Sequence, residues 1–286
     1  MAETMQIVAF MAPGMVMCLV LTLLCGYIGL HVVMREVIFI DIALAQIAAV
    51  GAAMALFFHL PLESFSNYLV SLGFVMAAAL LMSGTRILSR LAPQEAFIGI
   101  FYAAGAAAVL LVGDRIAEPE HIKELMYGNL LLVTWPMVKK YLLIFIAVGI
   151  GYALVHKPLL EISRSTHHRP AKSLHPVLWD FVFYALLGIL VTFAVRVFGV
   201  LLVFGFLIVP AVIGCLLARP FFTRLFIAWI AGAAAILAGS YFSYTRDFPT
   251  GGSIVVTLGA LMLVIAVIRG VQIKLAEREE SQAEKT

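Results

Sequence analysis

Long runs of hydrophobic residues fill most of the chain, and the polar residues are gathered in short segments between these runs. A helix needs about 20 apolar residues to cross the hydrocarbon core of a membrane. The pattern predicts nine such helices, at residues 5–30, 37–58, 68–88, 96–112, 141–155, 177–195, 197–218, 225–244 and 253–268. Because only Arg196 separates the sixth run from the seventh, one of these two could be a short or re-entrant helix, which would leave eight.

The runs predict helices and not the strands of a membrane barrel. Their apolar residues are continuous, whereas barrel strands alternate apolar and polar residues with a period of two. Several runs are rich in glycine and alanine, which let helix backbones approach closely within a membrane. We therefore expect an all-α polytopic membrane protein with a single transmembrane domain at residues 1–271. A charged cytoplasmic tail at residues 272–286 would follow it.

The composition supports a protein embedded in lipid. Of the 286 residues, 63% are hydrophobic and only 12% are charged, whereas a soluble domain has about 45–50% apolar and ~25% charged residues. This surplus of apolar surface is too large for one core and has to face lipid. Cys18, Cys25 and Cys215 all lie in apolar runs without CxxC spacing. They indicate neither a disulfide framework nor a metal cage.

The distribution of lysine and arginine predicts the orientation, because basic residues favour cytoplasmic loops. If the loops after spans one, three, five and seven and the C-terminal tail are cytoplasmic, they contain thirteen of the 19 basic residues. These are Arg35, Arg86, Arg90, Lys157, Arg164, Arg169, Lys172, Arg219, Arg224, Arg269, Lys274, Arg278 and Lys285. The sequence therefore predicts an external N-terminus and a cytoplasmic C-terminus in a plasma membrane.

The motifs of common enzymes are missing from the sequence. It has no GxxxxGK[ST] loop for nucleotide phosphates, no HExxH and no GxSxG. We expect no catalytic activity and no cofactor bound by this chain. If the protein moves a substrate uphill, a separate subunit has to supply the energy.

Ionisable residues within membrane spans are costly and are therefore candidates for function. Asp41 opens the stretch DIALAQ, which ends at Gln46, while Glu95 begins the fourth span and Asp180 lies one turn into the sixth. In one interpretation, Asp41, Gln46 and Glu95 line a polar transport path. In the other, the carboxylates lie at helix N-termini, where they satisfy free backbone N–H groups and the helix dipole.

Several motifs, in the same order, resemble those of the metal-ion ABC permease family, which includes bacterial zinc, manganese and iron permeases. Residues 199–211 read GVLLVFGFLIVPA, similar to the family's G-V-L-L-V-x-x-L-L-I-x-P-A. Residues 239–251 match its G-x-x-x-S-Y…D-x-P-x-G pattern. The stretches EAFIGIFYAAGAAAVLL, LMYGNLLLVTW and GYIGLHVVMREVIFIDIALAQIAAVG resemble earlier segments, so the likeness covers about residues 10–268.

One departure from the family pattern affects the expected metal site. The family's second helix usually reads Gly-Asp-Ala-x-x-His, with the aspartate and the histidine one turn apart. Here the aspartate, Asp41, is displaced by one residue, about 100° around a helix, and Gln46 replaces the histidine. A hard cation could still bind Asp41 and the Gln46 carbonyl, but the pair preferred by zinc is lost.

The resemblance also implies partners. A dimer of permeases would receive a divalent metal from an extracytoplasmic binding protein, and each permease would contact a cytoplasmic ATPase; we expect no nucleic acid partner. The coupling segment is expected at residues 157–174, the longest cytoplasmic loop. Its candidate contact residues are Lys157, Glu161, Arg164, Arg169 and Lys172.

Three further expectations follow. Gly205 and Pro210 should break the seventh span, since irregular backbone at membrane depth is tolerated where it lines a cavity. The altered DIALAQ stretch leaves open a cargo other than a transition metal. A channel or secondary carrier that works without an ATPase is the other alternative.

Overall fold

The computed structural model describes residues 2–62, 64–89, 91–113, 130–164 and 175–283. In these ranges the regular structure is helical, without a strand. The helices are α1 (Ala2–Arg35), α2 (Ile40–Phe57), α3 (Phe65–Gly84), α4 (Gln94–Gly113), α5 (Trp135–Leu154), α6 (His156–Arg164), α7 (Pro176–Phe198), α8 (Val200–Leu217), α9 (Phe221–Arg246) and α10 (Thr250–Ala283). Short 3₁₀ turns lie at Thr85–Leu88 and Leu130–Leu132.

Nine helices in the described ranges are long and apolar enough to cross a membrane, namely all except α6. This confirms the all-α polytopic fold and decides between the predicted counts of eight and nine. The boundary between the sixth and seventh spans lies at Gly199 and not at Arg196. Gly199 has a φ of 75°, which glycine adopts without the strain that a side chain would impose. Arg196 remains inside α7.

The seventh span is not broken, contrary to the sequence prediction. Helix α8 runs from Val200 to Leu217 through both Gly205 and Pro210. A proline inside a helix removes one backbone hydrogen bond, and neighbouring helices compensate for such losses in membrane bundles. Gly205 lies beside α10, where an added Cβ would be 3.4 Å from a methyl group of Val255. That is an ordinary van der Waals distance, so this position neither breaks the helix nor requires glycine for close packing.

Contacts between helix ends sort the described loops into two groups. At one end, Arg35 at the end of α1 binds Asp180 at the start of α7, and the ring of Phe221 in α9 lies 6.0 Å from that of Tyr27. At the same end, Arg269 of α10 donates to the carbonyl of Leu217, the last residue of α8. We call this the basic end, because it holds the described loops that were predicted to be basic and cytoplasmic.

Contacts at the opposite end join the end of α7 and the start of α5 to the start of α3. Arg196, near the end of α7, donates to Asn67 at the start of α3 over 2.9 Å. Lys140 in α5 lies 5.4 Å from the ring centroid of Tyr68. The spanning helices therefore alternate in direction, as the sequence predicted.

The C-terminal helix passes the predicted domain boundary without interruption. Helix α10 continues to Ala283, and its side chains from Arg269 to Glu277 are largely exposed. A helix of 34 residues is about 51 Å long at 1.5 Å per residue, longer than the ~30 Å hydrocarbon core. The assignment of residues 272–286 as a separate cytoplasmic tail stays a prediction.

Close helix contacts at small residues hold the bundle together. The alanine-rich α2 is buried along most of its length between α3, α4 and α7. Gly29 of α1 lies directly against the Leu207 backbone of α8, and Gly232 of α9 against Thr22 of α1. Because lipid is as apolar as the side chains, such packing is a main source of helix association in a membrane.

Gly29→Ala tests this packing. The added methyl would overlap the carbonyl oxygen of Leu207, and overpacking of this kind costs about 1–3 kcal/mol. We expect a lower midpoint of thermal unfolding in detergent. The matched control is Gly259→Ala in α10, where nothing lies within 4 Å of the added Cβ. Alanine favours a helix over glycine by about 1 kcal/mol, so the control should unfold at an equal or higher temperature; equal effects of the two variants would contradict the packing account.

Candidate functional site

A buried and a half-buried acidic side chain lie near the start of α2, at the basic end. Asp41, in the first turn of α2, is 2% exposed, and its carboxylate lies near the backbone N–H groups of Asp41 and Ile42. Glu95, in the first turn of α4, accepts a hydrogen bond of 3.0 Å from the Phe39 N–H. The two carboxylates are close enough to interact electrostatically.

These contacts combine the two interpretations of the acidic residues. Glu95 does cap a helix, but the helix is α2 and not its own, and the α2 N-cap residue Phe39 has no polar side chain for this role. Each carboxylate also has an oxygen left over. Asp41 Oδ1 and Glu95 Oε2 are buried without a hydrogen-bond partner among the described residues. Two oxygens with free lone pairs could bind a proton or a cation.

Gln46 lies elsewhere on α2. It is 5% exposed and packs toward α4, where a Cβ added to Gly105 would lie 3.0 Å from the Gln46 Cβ. Five residues separate Gln46 from Asp41, so the two point about 140° apart around the helix. The structure therefore brings Asp41 together with Glu95, and Gln46 lies further along α2.

No group of three or more His, Cys, Asp or Glu side chains that could hold a metal ion is found in the part of the chain that the structure describes. Within that part, any cation bound at Asp41 would have to complete its coordination with backbone groups, amides, water or another chain. The assignment of Asp41 as a metal ligand stays a prediction.

The most buried ion pair lies at the same end of the bundle. Asp180 is 1% exposed and binds Arg35 and Arg86, each over 2.6 Å. Charge-assisted hydrogen bonds of this length are strong. The Arg35 side chain is 5% exposed and that of Arg86 is 28% exposed. Asp180 thus joins α7 to the end of α1 and to the turn after α3.

Sequence reasoning missed this cluster. It considered Asp180 as a helix-terminal carboxylate and counted Arg35 and Arg86 only as basic loop residues. The sequence did contain one indication of this cluster, because an unpaired carboxylate inside a membrane span is energetically costly. That cost requires a cationic partner at the same membrane level, and both arginines were assigned to the same side of the membrane as the start of the Asp180 span.

The predicted coupling segment contains the short helix α6. Its residues Leu159, Ile162 and Ser163 are buried, whereas Lys157, Glu161 and Arg164 are exposed. The exposed residues follow the spacing i, i+4, i+7, which places them on one face of a helix. We call Lys157, Glu161 and Arg164 the charged face of α6. The other two predicted contact residues, Arg169 and Lys172, lie outside the described residues.

The buried face of α6 is hydrogen-bonded to α1. Ser163 Oγ accepts from Arg35 Nε over 2.9 Å and lies 2.8 Å from His31 Nδ1. One turn earlier on α1 than His31, the hydroxyl of Tyr27 lies 2.8 Å from His156 Nδ1 at the start of α6. These contacts fix α6 to the last turns of α1, beside the Asp180 cluster.

The sequence matches a known family over most of its length. The sequence model described as the ABC 3 transport family matches residues 7–269. The chain belongs to the ABC 3 transport family. This ABC 3 permease is therefore a transport subunit, in a family whose ATPase is a separate subunit, and the resemblance inferred from the motifs is confirmed.

Several relatives are metal transport proteins by name. A probable iron transport system membrane protein of Haemophilus influenzae is 25% identical over 96% of this chain and 95% of its own. The manganese transport system membrane protein MntB of Synechocystis is 24% identical, with 86% of this chain and 78% of its own covered. The chelated iron transport system membrane protein YfeC of Yersinia pestis is 28% identical over 67% of this chain and 64% of its own.

Solved structures show the same fold. PsaBC from Streptococcus pneumoniae in complex with Fab has a chain that superposes with a TM-score of 0.76 at 20% identity, over 92% of this permease and 94% of that chain. An inward-facing conformation of a putative metal-chelate type ABC transporter gives a TM-score of 0.65 at 16% identity, over 93% of this permease and 90% of that chain. The ABC importer permease bundle predicted from the sequence is thereby confirmed.

Asp180→Asn tests the buried cluster. Asparagine keeps the shape but leaves Arg35 buried without its counterion, a change that costs roughly 3 kcal/mol. We expect a clear fall in the thermal unfolding midpoint in detergent. Arg86→Gln is the matched control, because it removes the partly exposed partner and leaves the Arg35–Asp180 pair intact. It should cost about 1 kcal/mol or less; equal losses would show that the cluster does not depend on Arg35.

Proposed function

We propose that this chain is the membrane-spanning permease subunit of an ATP-driven importer of divalent transition metal ions. It would receive its cargo from an extracytoplasmic binding protein, pair with a second permease chain and use a separate cytoplasmic ATPase. The observation that carries the proposal is family membership over residues 7–269, together with relatives named for iron and manganese transport.

The buried polar groups favour manganese or iron over zinc. Asp41, Glu95 and Gln46 offer carboxylate and carbonyl oxygens, and oxygen ligands suit manganese. Zinc sites usually include histidine or cysteine, and here Gln46 stands where the family pattern has histidine. We therefore propose that Asp41 and Glu95 line the path near the basic end and that manganese is the preferred cargo.

The orientation proposal places the basic end in the cytoplasm of a bacterial plasma membrane, with the C-terminus on the same side. The excess of lysine and arginine in the loops gathered there supports this orientation. The charged face of α6 would then be presented to the ATPase, and the buried face would hold the helix on the bundle.

Reconstitution of the complete complex in proteoliposomes tests the proposal. The permease, its ATPase and its binding protein should together show ATP hydrolysis stimulated by loaded binding protein and uptake of Mn²⁺ or Fe²⁺. Zn²⁺ should be taken up less efficiently. Metal flux through liposomes containing this chain alone would contradict the proposal and favour the channel or carrier alternative.

Asp41→Asn tests the path in the same assay. The variant keeps the side-chain shape and removes the negative charge that would attract a cation. We expect the uptake rate to fall about tenfold, the factor that corresponds to a loss of roughly 1.4 kcal/mol of cation binding. The matched control is Glu36→Gln, an exposed carboxylate at the same end of the bundle, which should transport normally. Unchanged uptake by Asp41→Asn would remove Asp41 from the path.

Charge reversal on α6 tests the ATPase contact. The double variant Glu161→Lys with Arg164→Glu alters only exposed side chains, so the permease should keep its thermal stability. Affinity for the ATPase should fall about tenfold or more, because reversed charges meet like charges across the interface. Lys274→Glu, an exposed change on α10 at the basic end, is the control. Normal ATPase binding by the α6 variant would show that the contact lies elsewhere.

A further inference from the structure

We propose that Arg35 is a positioning residue that couples α6 to the acidic start of α2. A displacement of α6 by the ATPase would then be passed through Arg35 to Asp41 and Glu95. This inference rests on the proposed function, since it assigns the route by which the ATPase acts on the path.

The guanidinium of Arg35 holds two helices at once. Its Nε donates to Ser163 of α6 over 2.9 Å, and its Nη1 donates to Asp180 of α7 over 2.6 Å. The group also lies 4.3 Å from the centroid of the Phe183 ring. Because the guanidinium is a rigid planar fork, Ser163 and Asp180 are held in a fixed relation to each other. A shift of α6 has to move Arg35 or break one of these bonds.

Ser163 has no hydrogen-bonding capacity to spare. A hydroxyl has one proton and two lone pairs. Ser163 donates its proton to the Leu159 carbonyl over 2.8 Å, so it accepts from Arg35 Nε over 2.9 Å and, in the His31 tautomer that carries its proton on Nδ1, from that nitrogen over 2.8 Å. Both acceptor positions are therefore directed at α1. The buried face of α6 is fixed to the end of α1 through one saturated oxygen.

The connection from Arg35 to the start of α2 is short and hydrogen-bonded. Arg35 is the last residue of α1, and Glu36 follows with a left-handed φ of 57°. The Val37 N–H donates a hydrogen bond of 3.2 Å to the Val32 carbonyl, back in the last turns of α1. Helix α2 begins at Ile40, only five residues after Arg35. Because this connection is short and hydrogen-bonded, a shift at the end of α1 also shifts the start of α2.

The far side of that turn holds the acidic pair. The Phe39 N–H binds Glu95 over 3.0 Å, and Asp41 is the second residue of α2. A movement of the turn therefore changes the positions of the two carboxylates relative to each other. Since each has an unpartnered buried oxygen among the described residues, their separation would decide how well they hold a cation together.

Arg86 provides a natural contrast. It binds Asp180 over 2.6 Å, as Arg35 does, but it is 28% exposed and lies in the turn after α3. Its hydrogen bond to Asp180 involves neither α6 nor the α1–α2 turn. Arg86 therefore shares the electrostatic role of Arg35 without the bridging role.

The test compares Arg35→Lys, Ser163→Ala and Arg86→Lys in the complete reconstituted complex. Lysine keeps the positive charge, but one ammonium cannot span Ser163 and Asp180 as the guanidinium does. The readout is the number of Mn²⁺ ions taken up per ATP hydrolysed by assembled complex. We expect Arg35→Lys and Ser163→Ala each to lower this ratio about fivefold or more while ATP hydrolysis continues. Arg86→Lys should keep the wild-type ratio.

The double variant of Arg35→Lys and Ser163→Ala should be no worse than either single variant, since both break the same link. A wild-type ratio in folded Arg35→Lys and Ser163→Ala complexes would overturn the inference, as would an equal fall in Arg86→Lys. If Arg35→Lys does not assemble, Ser163→Ala decides alone, because it leaves the Asp180 ion pairs in place. A wild-type complex without metal-stimulated hydrolysis would overturn the proposed function itself, which distinguishes the two failures.

Discussion

A charge inside a membrane protein has to be met by an opposite charge or by hydrogen bonds, because lipid offers neither. Asp180 shows how this constraint organises the basic end. Its carboxylate is almost completely buried and is balanced by two arginines from other parts of the chain. Once Arg35 is fixed in this way, its remaining donors fix α6, and the following turn fixes the start of α2. The positions of α6 and of the start of α2 therefore both depend on one ion-pair cluster.

Close packing of small residues allows these polar contacts to form. Glycine and alanine on α1, α2, α8 and α9 bring backbones into direct contact, as at Gly29 and Leu207. The same packing keeps α8 continuous through Pro210, because neighbouring helices stabilise a segment that has lost one backbone hydrogen bond. The polar contacts that link α6, Arg35 and the start of α2 lie at the basic end of this packed interior.

The acidic pair differs from the metal site that the family resemblance implied. That pattern places an aspartate and a histidine one turn apart on the second helix. Here Asp41 lies in the first turn of α2, Glu95 of α4 accepts from the Phe39 N–H just before that turn, and Gln46 packs toward Gly105. The change replaces a nitrogen donor by the oxygen donors of Gln46 and Glu95, and Glu95 belongs to a neighbouring helix. Under the proposed function, the cation preference would depend on a contact between helices.

The sequence by itself determined the all-α polytopic fold with eight or nine spans and the alternating direction of its helices, because hydropathy and the distribution of charge can be read along the chain. It did not determine the partners of Asp180, which lie 145 and 94 residues away. The helix boundary at Gly199 and the unbroken course of α8 also came from the tertiary structure, since backbone conformation at a glycine or proline depends on the helices packed around it. The pairing of Asp41 with Glu95 was decided in the same way: the sequence identified both carboxylates, but only the packing of α4 against α2 brought them together.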